Sequence, residues 1–136
     1  MKDWLLTGAD VSEIKTANFK QALLTLIAQT SQRYIFIEEP FGKERKEIGK
    51  FIDLVVLLDV PMEICLSRIV RRSINNPLAD SLTALPHYLA NYEDYFRDCY
   101  LAAVHQVREN CDLCLPFTES VHKTTHIITT WLKRLG

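Results

Sequence analysis

"DLVVLLDVPMEICLSRIVRR", residues 53–72, decides how the chain is read. Leu54 to Leu58 is an unbroken apolar run rich in branched side chains, the pattern of a strand covered on both faces. Asp59-Val60-Pro61 makes a turn, and Pro61 suits the first position of the helix that follows. That helix carries Arg68, Arg71 and Arg72 and is stopped by the Asn-Asn-Pro run at 75–77. A buried strand feeding a helix is half of a crossover unit, which belongs to a parallel sheet.

The same alternation extends to both sides. Upstream, Phe19, Ala22, Leu23, Leu26 and Ile27 recur at helical spacing, with Thr16 as the expected N-cap. "YIFIE", 34–38, is expected to be a buried strand, and a short helix is expected around 44–50. Downstream, Pro86 is expected to open a long helix running to about 110, with Tyr88, Tyr92, Tyr95, Phe96, Cys99, Ala103 and Val107 along one face. "CDLCL", 111–115, reads as a third strand, and Ser120 begins a closing helix. The fold class is therefore α/β, with strands at 34–38, 53–59 and 111–115 in a three-layer parallel sheet.

A length of 136 residues suits one domain, and a net charge of −1 from 16 basic against 17 acidic residues argues against nucleic-acid binding through bulk charge. Nothing in the sequence approaches the roughly 18 consecutive apolar residues of a membrane span, so no membrane partner is expected and the expected compartment is cytoplasmic. Cys65, Cys99, Cys111 and Cys114 are too scattered for a disulfide framework and are read as reduced.

Arg68 and Arg72 are four residues apart and share a helix face, with Arg71 beside them. Such a fork can hold a phosphate through bidentate, charge-assisted hydrogen bonds; equally, cations late in a helix complement its dipole. Glu38 and Glu39 end the first strand, where a carboxylate can position magnesium through water or orient a hydroxyl, or can simply pair with Lys43 or Arg45. Tyr88 and Tyr92 either face a substrate or pack. The cysteines of "CDLC" have a metal-like spacing, yet no second pair follows them, and His122 and His126 lack the glutamate of a zincin motif. The four glycines, at 8, 42, 49 and 136, cannot form the phosphate-cradling loop G-x-x-x-x-G-K-[ST].

In order, "YIFIEEPFG", "IDLVVLLDVPMEICLSRIVRRSI", "YLANYEDYF" and "CDLCLP" resemble the uridine-kinase-like branch of the P-loop small-molecule kinases. The opening "KDWLLTGADVSEIKTANF" is similar to the segment before the acidic strand in bacterial members, so the resemblance runs from Asp3 to about Trp131. It implies ATP and Mg2+ as cofactors and phosphoryl transfer to a nucleoside or other small hydroxyl compound. It also implies that Arg68 and Arg72 contact nucleotide phosphates, with Arg71 an addition, that Glu38 serves magnesium and the acceptor site, and that 75–87 form a mobile lid.

Two departures touch the lid chemistry: Cys65 stands where relatives often carry arginine, and Ser73 where they carry aspartate. A larger one is that the family's first two strands, phosphate loop and substrate-side aspartate would all precede Met1. The chain is thus expected to be a single truncated nucleoside-kinase-like domain, 1–136, with impaired transfer, or else a non-catalytic module that self-associates or binds nucleotide. In the family the lost first strand lies between 34–38 and 53–59. The two are therefore expected to close up and pair directly, or to receive a strand from another chain, perhaps in a homodimer, because unsatisfied ladder groups are costly.

Overall fold

The computed structural model describes residues 16–75, 79–116 and 120–136. Among them are five α-helices and one two-stranded parallel sheet: α1 (Ala17–Gln29), β1 (Val56–Asp59), α2 (Met62–Asn75), α3 (Ala79–Ala90), α4 (Arg97–Asn110), β2 (Leu113–Pro116) and α5 (Val121–Leu135). The α/β reading holds at this level. β1 pairs with β2 in the register Val56 to Leu113 through Asp59 to Pro116, so the whole segment from α2 to α4 is one crossover connection.

Both strands are shorter than expected, and the segment 34–38 is not a strand. It carries no regular secondary structure, and among the described residues no backbone partner lies beside it. An apolar run becomes a strand only by sharing a ladder, and "YIFIE" has the composition without a neighbour among the described residues. Direct pairing of 34–38 with β1, one of the two expected outcomes, does not occur.

The helix expected at 44–50 is replaced by turns and a single 3-10 turn, Gly49–Phe51. Lys, Glu and Arg favour a helix here, but the backbone follows a buried ion pair instead, described below. Pro86 does not open the long helix; it lies inside α3. The helical path is then broken at Asn91. Its carbonyl accepts from both Tyr95 N at 3.1 Å and Phe96 N at 3.2 Å, and a π-turn, Tyr92–Phe96, leads into α4. One extra residue in that turn rotates the aromatic face relative to α4. Of the expected lid, Asn75 ends α2 and residues 79–87 belong to α3, while 76–78 lie outside the described residues.

Two side chains fix the ends of β1. Asp112 Oδ2 accepts from Val55 N at 2.7 Å at the entrance, and Asp59 at the exit receives Arg108 of α4 at 2.7 Å. Ser120 caps α5 as expected, its Oγ accepting from Lys123 N at 3.3 Å. Thr16 precedes α1 but makes no side-chain cap; its Oγ1 accepts from Arg45 instead. The buried apolar side chains are Leu23 of α1, Ile48, Ala103 and Val107 of α4 and Leu115 of β2. Phe36, 75% exposed, and Leu58, 54% exposed, lie open. No helix among the described residues is long and apolar enough to cross a membrane.

Candidate functional site

Arg68, Arg71 and Arg72 stand exposed on the second half of α2, the helix that leaves the carboxyl end of β1. The carbonyl of Pro61 starts that helix by accepting from Ile64 N and Cys65 N, both at 3.0 Å. Only Arg72 falls in the last turn, so the dipole accounts for one of the three cations more readily than for Arg68. Glu38 is exposed at the end of the segment 34–38.

The guanidinium partner on that segment goes to Glu39. Arg45 Nη2 lies 3.1 Å from Glu39 Oε1, with each side chain 7% exposed. Arg45 also donates to Thr16 Oγ1 at 3.0 Å, and its guanidinium carbon sits 5.3 Å from the Phe41 ring centroid. Glu39 Oε1 accepts in addition from Phe41 N at 3.2 Å. Burial pushes the Glu39 carboxyl above its usual range, although Arg45 and the Phe41 amide pull the other way. The loop 39–51 is therefore built around a charge pair. Gly42 permits its turn at φ 54°, and Gly49 packs so closely that a Cβ there would meet the Lys43 carbonyl oxygen.

Asp59 and Arg108 occupy the carboxyl end of β1, where ligands of open α/β sheets gather. The contact is a two-point fork, with Nη2 to Oδ1 at 2.7 Å and Nε to Oδ2 at 3.3 Å. Arg108 escapes a reading by sequence because 49 positions separate it from its partner.

Tyr88 and Tyr92 do come together, with ring centroids 5.9 Å apart, but inside an aromatic cluster: Tyr88 stacks on Phe96 at 5.1 Å, and Phe96 meets Tyr100 at 6.4 Å. The Tyr88 hydroxyl is buried without a hydrogen-bond partner. Its burial, together with the Tyr100, Tyr92 and Cys65 groups around it, holds the phenol well above its ordinary range. This favours packing over substrate contact for Tyr88. Desolvation is also the main force pushing the Cys99 and Cys114 thiols up, the opposite of what a reactive thiolate needs. Among the described residues no group of three or more His, Cys, Asp and Glu is placed to hold a metal ion. His122 and His126 are exposed on α5.

The remaining feature is an open cavity of 630 Å³ lined by residues 34–37, by Phe51, Leu54 and Val56, by Leu23 and Ile27 of α1 and by Ile128, Trp131 and Leu132 of α5. No family model, curated protein or solved structure matches this chain.

Proposed function

We propose that this chain is part of a uridine-kinase-like domain of the P-loop superfamily, with the three-layer parallel-sheet arrangement of that family, and that α2 is its phosphate-holding element. The observation that carries this reading is three exposed guanidinium groups, Arg68, Arg71 and Arg72, on the helix that leaves the carboxyl end of a parallel strand. Guanidinium forks match the geometry of phosphate oxygens, to which they can donate two parallel charge-assisted hydrogen bonds.

The reaction class is transfer of the ATP γ-phosphoryl group to a nucleoside or other small hydroxyl compound. In it Arg68 and Arg72 hold phosphate charge, Arg71 adds to the field, and Glu38 orients the acceptor. A triphosphate fits the arginine donors. Mg2+ fits Glu38 only through water, since one exposed carboxylate makes no cage. Tyr92 is the acceptor-side aromatic, and Tyr88 supports it from within the stack. Transfer relies on positioning around the γ-phosphate, and the 136 residues contain no G-x-x-x-x-G-K-[ST] loop. These residues by themselves therefore bind nucleotide weakly and turn over little.

Isothermal titration with Mg-ATP tests the proposal. The expected result is weak, salt-sensitive binding that falls at least tenfold in Arg68→Ala/Arg72→Ala, with the fold intact by circular dichroism. Equal affinity in the variant would remove the arginines from the account. The open cavity beside β1 favours a second reading, a non-catalytic binding module. Its signature is a thermal shift with an apolar peptide and none with ATP.

A further inference from the structure

We infer that Cys111 and Cys114 form a two-coordinate site for a soft monovalent cation, Cu(I) in a cell. This inference does not depend on the nucleotide reading.

The backbone brings the two thiols to one side of the sheet. In a regular strand, residues three apart point to opposite faces, and successive amides point to opposite edges. Here the Val55 carbonyl accepts from two successive amides, Asp112 N at 2.9 Å and Leu113 N at 3.2 Å. The chain therefore bends at Asp112, and the alternation of side chains restarts beyond it. Asp112 secures its own bend, since its Oδ2 accepts from Val55 N at 2.7 Å. Before the bend, Cys111 ends α4 with its Sγ turned back to the Arg108 carbonyl at 3.5 Å. Beyond it, Cys114 pairs with Leu57 and so shares a face with Asp59. The two side chains meet there: Cys111 is a side-chain hydrogen-bond partner of Cys114. Cys114 is exposed and Cys111 half-buried, so an ion can reach the pair from solvent.

The surroundings choose among ions. Thiolates favour soft metals, Cu(I) and zinc among them. Zinc needs four ligands, and among the described residues no group of three or more His, Cys, Asp and Glu is placed to hold a metal ion. The nearby carboxylate, Asp59, is engaged by Arg108 at 2.7 and 3.3 Å. A monovalent ion with a filled d shell is satisfied by two sulfurs, so the single Cys-x-x-Cys pair that is too small for zinc is sufficient for Cu(I). Binding exchanges the two thiol protons for one Cu+, which leaves a bis-thiolate complex with one net negative charge. Arg108 lies within electrostatic reach of both sulfurs and offsets that charge. Thiols that hold their protons are poor nucleophiles, whereas a soft cation displaces those protons directly. The other cysteines stand apart. Cys65 Sγ donates to the Val60 carbonyl at 3.8 Å, and Cys99 lies at the opposite end of α4 from Cys111.

Anaerobic titration of the reduced, unaltered chain with Cu(I), in competition with the chromophoric chelator bicinchoninate, tests the site. The expected result is one Cu(I) per chain, with thiolate-to-copper charge transfer in the near ultraviolet. Cys111→Ser and Cys114→Ser should each weaken binding at least tenfold with the fold intact by circular dichroism. Cys65→Ser/Cys99→Ser should bind as the parent does, and excess Zn2+ should not displace the copper. Cys114→Ser alters an exposed side chain, so it tests the site even where Cys111→Ser does not fold. Four results would each overturn the inference: full affinity in a folded Cys111→Ser or Cys114→Ser chain, loss of binding in Cys65→Ser/Cys99→Ser, displacement by Zn2+, or one ion shared between two chains.

Discussion

Arg45→Met isolates the ion pair around which the loop 39–51 is organised. Methionine keeps most of the side chain's length and removes the charge, leaving Glu39 7% exposed with the Phe41 amide at 3.2 Å as its remaining donor. Losing one partner of a buried pair costs about 3–5 kcal/mol, because the other charge stays desolvated. The loss also depends on pH, with a definite sign. Glu39 already titrates above the ordinary carboxylate value of 4.5, mainly through burial, and Arg45 is the principal force holding it down. Without Arg45 its folded-state pKa rises further. For an acid whose folded pKa is raised, the folded state is favoured below the unfolded value, and that advantage is lost as pH climbs through the folded value. Urea denaturation should therefore show the full loss at pH 7 and a smaller one near pH 4.5. Arg45 Nε is buried without a partner, so the pair is incompletely satisfied, and Arg45→Met with Glu39→Leu should recover most of the stability. A loss below about 1 kcal/mol at pH 7, the range of a surface pair, would refute the reasoning. So would equal losses at both pH values.

Two glycines in the same loop should respond for different reasons. Gly42→Ala meets only ordinary contacts, Val55 at 3.4 Å and Val107 at 3.6 Å, so its cost is the left-handed backbone, about 1–2 kcal/mol by the same denaturation assay. Gly49→Ala drives a Cβ into the Lys43 carbonyl oxygen and should cost more than Gly42→Ala; the reverse order of midpoints would contradict the described loop. Tyr88→Phe removes a buried hydroxyl that has no partner, and thermal melting should find the variant as stable as the parent or more so. A drop of several degrees would show that the hydroxyl is satisfied after all.

Much of the architecture is written locally and can be read so. The apolar run 54–58, the turn at Pro61, the helix carrying the arginines and the Ser120 cap depend on neighbours in sequence, and each is found close to its expected place. The errors share a different cause. "YIFIE" has strand composition, but pairing is a property of the neighbour, and none lies beside it among the described residues. Residues 44–50 have helix-forming side chains, but Arg45 is drawn into the interior by Glu39 and Thr16. Pro86 resembles a helix start, whereas the discontinuity falls at Asn91, where a π-turn changes the register of the aromatic face. A glutamate at the end of 34–38 pairing with Lys43 or Arg45 was among the expected alternatives, as a solvated strand end; that Glu39 takes Arg45 and that the pair is buried was not legible. The fork between Asp59 and Arg108 was not, because it needs the crossover to be closed first.

The central claim is that α2 presents a phosphate grip. Backbone and arginine side-chain NMR shifts during titration with Mg-ATP test it most directly. The account predicts saturable changes centred on Arg68, Arg71 and Arg72, with a smaller response at Glu38, and the same pattern from inorganic triphosphate. Shifts that leave those four residues still while others move, or no shifts at millimolar Mg-ATP, would contradict it.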